Sequence, residues 1–309
     1  MKILFMGTPQ FAVPILDMLV KKHEVVLVIT QPDKPVGRKK ILTPSPVKER
    51  ALAWGLPVFQ PSALKKQYTH LFDLDIDVMV TAAYGQMLPK ELLEFRDAIN
   101  VHGSLLPQYR GGAPIQYALF DGLKKTGVTV MSMVYQMDAG DIIKQEDVVI
   151  DDHDNYQSLS IKMSYVGAKL LDEVLDNIEK GVITFTPQDP SQVTFAYTLK
   201  PQDERIHFNQ PTERIINRIR GLSPEPGATA SIKNTTLKFY RAQKGDIIEE
   251  NARPGTVLVA KKRFVIKTLD GSIEMLDVQA PGKRIMSAKD FLNGQTFFVE
   301  GDGFEEGSF

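Results

Sequence analysis

The chain has 309 residues, of which 43% are hydrophobic and 24% are charged, and this length is typical of two folded domains. It contains no cysteine, which excludes disulfides, thiolate metal sites and cysteine nucleophiles. The formal net charge of −1 does not indicate a partner, because local clusters can be hidden in a neutral total. No window approaches the roughly 18 apolar residues of a membrane span. We therefore expect a cytoplasmic protein with no membrane partner.

The first half of the chain alternates short apolar runs with helical patterns. Continuous apolar runs are typical of a parallel sheet that is covered on both faces, and alternation with helices implies right-handed βαβ units. We predict an α/β fold with a Rossmann-like, doubly wound, mostly parallel sheet. The predicted strands lie at 2–6, 24–30, 56–59, 77–81, 98–102 and 128–134, and the predicted helices at 9–20, 46–54, 89–95 and 155–179.

The sequence changes character near residue 184. Residues 184–206 carry three prolines and are predicted to be a linker. A helix at 211–221 follows, and the short strand-like runs and turns between 228 and 299 are typical of a small OB-like β-barrel. We therefore predict domains at 1–183 and 207–309, joined by the linker at 184–206.

Two common kinds of cofactor site are missing from the sequence. Residues 7–12 lack the second and third glycines of the G-x-G-x-x-G motif, so the backbone cannot approach a pyrophosphate as that motif does. The five histidines are dispersed, and no H-E-x-x-H or comparable metal-ligand spacing occurs. We expect neither NAD nor a metal.

The predicted strand at 98–102 ends in polar side chains, at the edge where open α/β sheets bind ligands. Asn100 and His102 are two residues apart, so they project the same way from an extended chain. An amide donor beside an imidazole suits a developing oxyanion and a proton transfer. Asp138 follows another apolar strand in a glycine-containing turn, where a carboxylate could orient the histidine. The alternatives are purely structural. His102 would be a hydrogen-bonded polar residue at a strand end, and Asp138 would be an acid that caps its turn.

These residues also resemble the signature of the folate-dependent formyltransferase family. The match consists of Asn100, His102, Ser104-Leu105-Leu106-Pro107, Tyr109-Arg110-Gly111 and Asp138. The resemblance implies that 10-formyltetrahydrofolate is the formyl donor and that 1–183 is the catalytic domain. It implies that Asn100 holds the formyl oxygen as this becomes an oxyanion. His102 would assist there and relay a proton, and Asp138 would orient His102.

The same resemblance implies a folate pocket with two walls. One wall is expected to consist of Ser104, Leu105, Leu106 and Pro107. The other is a loop whose backbone can pair with the pterin ring, and it is expected to consist of Tyr84, Gly85, Gln86, Met87 and Leu88. Arg110 is left open between a role in the site and a role in fixing its own loop.

A basic loop distinguishes between the possible acceptors. Residues 34–50 hold six basic residues and one acid. A solvated charge run is the ordinary interpretation, but a long loop beside a ligand edge tends to be functional, and such a cluster would bind phosphates. It resembles the basic insertion of the formyltransferases that act on charged tRNA. The residues expected to bind tRNA are Lys34, Arg38, Lys39 and Lys40, with Arg38 the strongest candidate for the acceptor end.

The C-terminal region supports the same choice. Residues 200–299 hold 17 Lys and Arg against 11 Asp and Glu, which suits a surface for a tRNA backbone. The candidate contacts are Arg218, Arg220, Lys261, Lys262, Arg263, Lys283 and Arg284. We therefore expect a monomeric enzyme that formylates the α-amino group of methionyl-initiator tRNA for translation initiation. A 10-formyltetrahydrofolate hydrolase and an amino-sugar nucleotide formyltransferase are the alternatives.

Overall fold

The computed structural model describes residues 1–37 and 40–305, so the predicted contacts Arg38 and Lys39 lie outside the described residues. The chain forms two compact units, and each unit draws on separate stretches of sequence. The first unit consists of Met1–Pro114, Lys125–Ile150 and Leu159–Tyr197, and the second of Ile115–Lys124, Asp151–Ser158 and Thr198–Phe309.

The described residues of the first unit contain nine strands. They are β1 (Lys2–Gly7), β2 (Glu24–Ile29), β3 (Lys34–Val36), β4 (Ile41–Thr43), β5 (Val58–Phe59), β6 (Val78–Ala82), β7 (Ala98–His102), β8 (Lys125–Ser132) and β9 (Ile142–Val149). Seven of them form one sheet in the order β5-β2-β1-β6-β7-β8-β9. Its first five strands run parallel, and β8 and β9 are antiparallel additions. The predicted doubly wound, mostly parallel sheet is confirmed.

Among the described residues, five α-helices lie between or after these strands in the sequence. They are α1 (Val13–Lys22), α2 (Pro46–Ala53), α3 (Lys90–Phe95), α4 (Pro114–Phe120) and α5 (Tyr156–Glu179). The start of α2 follows from its sequence, since Ser45 accepts a hydrogen bond from the Lys48 amide and Pro46 takes the first helical position. The covered sheet explains the apolar strands: Ile3, Leu4, Phe5 and Met6 of β1 are fully buried.

The parallel strands end together at one edge of the sheet, which we call the carboxyl edge. β1 ends at Gly7, β6 at Ala82 and β7 at His102. Ligands bind at this edge in open α/β sheets, so it is the part of the fold that positions the candidate site.

The second unit is built on an antiparallel sheet. Besides all of α4 but its first residue, its elements are α6 (Thr212–Gly221), β10 (Ala228–Ile232), β11 (Thr235–Lys244), β12 (Val257–Lys261), β13 (Arg263–Lys267), β14 (Ser272–Gln279), β15 (Met286–Ser287) and α7 (Ala288–Gly294). The strand order is β10-β11-β14-β13-β12, and β15 pairs with β14. Register shifts in β11 and β12 mark irregularities of the kind that bend and curl a sheet.

The predicted OB-like barrel is only a half-barrel. No ladder joins the edge strands β10 and β12 within the described ranges. The chain near its C-terminal end spans the gap instead, because the Val257 amide donates to the Asp302 carbonyl and the Glu305 amide donates to the Ser231 carbonyl, each over 2.8 Å. Backbone groups of both edge strands are therefore satisfied without a closing strand.

Candidate active site

The side chain of Asn100 is held in one orientation by its neighbour on β6. The hydroxyl of Thr81, which is 3% exposed, donates to Asn100 Oδ1 over 2.8 Å. An amide has two ends, so engaging the oxygen leaves the Nδ2 donors available. No partner for Nδ2 is found among the described residues. Asn100 thus presents an N–H donor at the carboxyl edge.

The imidazole of His102 is buried, with 5% of its side chain exposed. Its Nε2 lies 2.9 Å from the carbonyl oxygen of Tyr109. A carbonyl can only accept, so Nε2 carries the proton of this hydrogen bond. Nδ1 lies 3.8 Å from Asp138 Oδ2. The ring is therefore fixed at one nitrogen, and the other faces a carboxylate.

Asp138 reaches His102 from a constrained turn. Its φ of 49° lies in the left-handed region, which non-glycine residues rarely adopt. Its Oδ2 accepts a hydrogen bond from the Gly111 amide over 2.8 Å. Gly111 has a φ of 123° and a Cβ there would lie 2.5 Å from the Ala196 carbonyl oxygen, so this close approach requires glycine. The structure brings Asn100 and His102 together on β7 and places Asp138 beside His102.

The predicted folate wall at 104–107 is anchored to the sheet. The Ser104 hydroxyl is fully buried and donates to the Gln108 carbonyl over 2.6 Å. Thr129 Oγ1 donates to the Ser104 carbonyl over 2.7 Å and accepts from the Leu106 amide over 3.1 Å. The peptide bond between Leu106 and Pro107 is cis. The Ser104 hydroxyl is therefore used within the loop itself.

The anchoring residue Thr129 lies on β8, and Gly127 on the same strand packs against the side chain of Leu105. A Cβ at Gly127 would lie 2.4 Å from Leu105 Cδ2. Leu105 is therefore directed onto the sheet by a close contact that only glycine permits.

Several side chains of the second predicted wall also serve the fold. The ring of Tyr84 lies in the apolar core, and its carbonyl accepts from Thr8 Oγ1 over 3.0 Å and from Gln31 Nε2 over 3.2 Å. Burial raises the pKa of the Tyr84 hydroxyl to about 12. Gln86 accepts from the Leu64 amide and donates to the Pro61 carbonyl. Leu88 is 4% exposed and belongs to the same core.

The remaining two residues of this wall are open to a ligand. Met87 is 54% exposed. Gly85 has a φ of 84°, and a Cβ there would meet one atom within 4 Å, Gln31 Nε2 at 3.4 Å. The backbone at Gly85 is thus approachable, and a flexible thioether lies beside it. These features fit a flat ring system that approaches the main chain.

Arg110 fixes its own loop. It is 7% exposed, and its Nε and Nη2 both donate to Gln188 Oε1, over 3.0 and 2.8 Å. Its amide donates to the Thr194 carbonyl over 2.9 Å. These contacts favour a structural role for Arg110 within its loop. Gln188 and Thr194 were missed, because their proline-rich stretch has the composition of a linker.

The basic loop contains a small hairpin at the carboxyl edge. β3 and β4 pair there, and Ser45 Oγ at the hairpin's end lies 2.7 Å from Thr30 Oγ1. Lys34 and Lys40 are exposed, so both cations can meet a phosphate. Lys48 is bound to Asp33 over 2.7 Å and is not available in the same way.

The candidate cations of the second unit fall into two groups. Arg218 lies over the Phe120 ring at 4.2 Å, and burial lowers the pKa of its guanidinium. Arg220 donates to the carbonyls of Asp154 and Asp151, each over 2.7 Å. These arginines hold the unit together. Four other candidates, Lys261, Lys262, Lys283 and Arg284, are exposed, and none of them forms an ion pair with another described residue.

A third arginine of the second unit is also engaged. Arg263 pairs with Asp246 and Glu274 over 2.8 and 2.9 Å.

Within the described ranges, no group of three His, Asp or Glu side chains is placed to hold a metal ion, and no helix has the length and apolar character needed to cross a membrane.

Comparisons with known proteins cover nearly the whole chain. Residues 1–175 match the Formyl transferase family and residues 198–296 match Formyl transferase, C-terminal domain. The chain is 46% identical over 301 residues to the methionyl-tRNA formyltransferase of Staphylococcus aureus strain Newman. The alignment covers 95% of this chain and 96% of that protein.

Two solved structures share the fold at low identity. HypX from Aquifex aeolicus in complex with tetrahydrofolic acid is 17% identical with a TM-score of 0.65, and the match covers 94% of this chain and 46% of HypX. The chain thus spans about half the length of HypX. An N-formyltransferase from Helicobacter canadensis, solved with folinic acid and dTDP-3-aminofucose, is 19% identical with a TM-score of 0.66, covering 91% of this chain and 99% of that one. From the two domain matches and the near-complete alignment at 46% identity, the chain belongs to the formyl transferase family, among the methionyl-tRNA formyltransferases.

Proposed function

We propose that this enzyme transfers the formyl group of 10-formyltetrahydrofolate to the α-amino group of methionyl-initiator tRNA. The proposed chemistry rests on one arrangement of side chains. Thr81 orients the Asn100 amide, and His102, two residues further along the strand, faces Asp138. The acceptor is proposed from the 46% identity to a methionyl-tRNA formyltransferase over almost the full length of both proteins.

Asn100 stabilises charge on the formyl oxygen. Attack of an amine on a formyl carbon moves electrons onto the carbonyl oxygen, which then needs hydrogen-bond donors. The Nδ2 group of Asn100 supplies one, and the Thr81 contact orients it in advance. A donor that is already oriented does not have to reorganise while the charge develops.

His102 and Asp138 handle the proton. The attacking amine loses one proton and the nitrogen that carried the formyl group gains one, so the net transfer needs no outside acid or base. Nε2 of His102 is occupied by the Tyr109 carbonyl, which leaves Nδ1 to accept or donate. A proton on Nδ1 faces Asp138 Oδ2 at 3.8 Å and forms an ion pair with it. The carboxylate thereby stabilises the charged ring.

The folate donor supplies the activated formyl group. Met87 and the approachable backbone at Gly85 are proposed to receive its ring system. The main chain at Leu106 is less free, because its carbonyl already accepts from Gln145 Nε2 over 2.8 Å. The side chains of Ser104, Tyr84 and Gln86 shape the pocket from behind, while Leu105, Pro107 and Leu88 complete its apolar frame.

The tRNA surface is proposed to consist of Lys34 and Lys40 in the hairpin together with Arg38 and Lys39 between them. The exposed, unpaired cations of the second unit add a further surface for phosphates. On this basis 1–183 is the catalytic domain, 207–309 the tRNA-binding domain and 184–206 the linker. We further propose that the enzyme acts in the cytoplasm as a monomer.

A product assay tests the proposal. The purified protein is incubated with 10-formyltetrahydrofolate and methionine-charged initiator tRNA, and formylmethionyl-tRNA and free formate are both measured. Formylated tRNA without matching formate supports the proposal. Formate released regardless of tRNA would instead identify a hydrolase. No product with tRNA, but a formylated product with a dTDP-linked amino sugar, would identify a sugar formyltransferase.

A further inference from the structure

Asp138 sits in a backbone conformation that its surroundings must hold. Its φ of 49° lies in the left-handed region, which residues with a side chain rarely adopt. Gly140, two residues later, packs so closely that a Cβ there would lie 1.9 Å from the Ser132 carbonyl oxygen. The turn therefore presses against β8 on one side. The contact of Gly140 with Ser132 does not by itself orient the Asp138 carboxylate. Contacts from another part of the chain are needed to direct it toward His102.

Gln188 supplies those contacts from the stretch that its composition marks as a linker. Its Nε2 donates to the carbonyl of Asp138 over 2.9 Å and to the carbonyl of Gly140 over 2.7 Å. Both protons of one amide are thus used to bridge the two ends of the turn. The backbone around the carboxylate is held from outside the turn.

Arg110 determines which way the Gln188 amide faces. Two guanidinium donors converge on Gln188 Oε1, and a guanidinium cannot accept, so the oxygen must point at Arg110 and the nitrogen at the turn. The next residue, Gly111, donates its amide to the Asp138 carboxylate. Hydrogen bonds thus link Arg110 to Gln188, Gln188 to the Asp138 carbonyl, and Gly111 to the Asp138 carboxylate, and the peptide bond between Arg110 and Gly111 closes the loop.

We propose that Gln188 is a positioning residue for formyl transfer: it sets the direction of the Asp138 carboxylate at His102, and Arg110 sets the direction of Gln188. This inference rests on the proposed function, and it adds a residue outside the segments that carry the family signature. The Gln188 amide donates to the backbone carbonyl of Asp138 and not to its carboxylate. Gln188 therefore affects the reaction indirectly, by orienting that carboxylate.

A double-mutant cycle tests this role, with the steady-state kinetics of methionyl-tRNA formylation as the measurement. Q188A should lower kcat about 10- to 100-fold and change either KM by less than about threefold, because binding surfaces stay intact. In a D138N background, Q188A should lower kcat by less than about twofold, since the group that it positions has lost its charge. Equal losses in both backgrounds would overturn the proposal.

Q188E separates positioning from folding. Glutamate keeps an ion pair with Arg110 but cannot donate to the two carbonyls. Q188E should therefore melt near the wild-type temperature and lose as much kcat as Q188A. A stable Q188E with wild-type kcat would overturn the proposal.

A crystal structure of Q188A gives a readout that does not depend on activity. We expect the 2.8 Å contact between Gly111 N and Asp138 Oδ2 to be lost. An unchanged Asp138 would contradict the inference. If the wild-type enzyme itself fails to formylate methionyl-tRNA, the proposed function fails, and the structure of Q188A still decides whether Gln188 positions Asp138.

Discussion

Thr81 and Asn100 lie side by side on the adjacent strands β6 and β7, and the Thr81 hydroxyl donates to Asn100 Oδ1 over 2.8 Å. Thr81 is buried, so this hydrogen bond is sheltered from water. Because the oxygen is engaged, the amide turns its Nδ2 donors to the other side. A buried residue thereby determines which end of Asn100 is available to a ligand, and in the proposed function that ligand atom is the formyl oxygen.

Replacing Thr81 by valine should weaken catalysis without weakening binding. T81V keeps the shape of the side chain and removes the donor, so the Asn100 amide can turn over. We expect kcat to fall about tenfold, less than the roughly 100- to 1,000-fold that removal of an oxyanion donor causes. T81S keeps the hydroxyl and should stay within about twofold of the wild type. A T81V enzyme with wild-type kcat would show that Asn100 needs no such orientation.

Asp138 should matter for its charge. D138N keeps an oxygen for the Gly111 amide and removes the negative charge that faces His102 Nδ1. We expect kcat to fall about 100- to 1,000-fold, in the range of lost acid–base assistance. The measurement is a single-turnover rate at saturating tRNA and donor. Full activity in D138N would reduce Asp138 to a residue that only caps its turn.

The hairpin lysines should contribute to tRNA affinity through phosphates. The double variant K34A/K40A should raise KM for methionyl-tRNA about 3- to 30-fold and lower the slope of log affinity against log salt by about 1–2. Lys21 and Lys180 are exposed at the opposite edge of the first unit, so K21A/K180A is the matched control. Equal salt slopes in the wild type and both variants would exclude the hairpin from the tRNA surface.

Arg220 should stabilise the fold rather than bind tRNA. R220A removes two hydrogen bonds from a guanidinium to the carbonyls of Asp154 and Asp151. We expect the free energy of unfolding to fall by about 2–4 kcal/mol, measured by urea unfolding. R284A, which alters an exposed arginine, should stay within about 0.5 kcal/mol. A stable R220A with weakened tRNA binding would contradict this assignment.

His23 should make stability depend on pH. Burial lowers the pKa of its imidazole, and the N-terminal amine lowers it further. The unfolded chain therefore binds a proton that the folded protein excludes. Stability should fall as pH decreases from about 6.5 toward the folded-state pKa and then level off, with a slope of at most about 1.4 kcal/mol per pH unit.

The variant H23Q isolates this contribution. Glutamine does not titrate, so the difference in unfolding free energy between wild type and H23Q should change across that interval and be constant above it. Urea unfolding at several pH values provides the comparison. Parallel curves for the two proteins would mean that His23 titrates alike in the folded and unfolded chain.

Much of the fold could be predicted because its strands are continuous apolar runs. The bounds of β7 agree with the predicted 98–102. β9 was missed because it lies at the sheet edge and carries Lys144, Gln145, Glu146 and Asp147, so it has no apolar run. α7 was not predicted, although Ser287 caps it by accepting from the Asp290 amide. The first miss reflects tertiary position, which local pattern does not contain, whereas the second overlooked a local capping signal.

The candidate site divides in the same way. Asn100 and His102 share one strand, so their spacing alone places them side by side. The position of Asp138 in a turn after an apolar strand made it a candidate, and the family resemblance assigned its role, but its approach to His102 depends on a left-handed turn that the sequence did not indicate. Gln188 and Thr81 carried no signal, because their importance lies in hydrogen bonds to residues 50 and 19 positions away.

The rate of formyl transfer in N100A tests the central claim most directly. Enzyme, 10-formyltetrahydrofolate and methionyl-initiator tRNA are mixed for a single turnover, and the affinities for both substrates are measured separately. We predict a rate constant that is lower by about 100-fold or more, with both affinities within about threefold of the wild type. A rate constant within about twofold of the wild type would contradict the assignment of Asn100 as the group that stabilises the formyl oxygen.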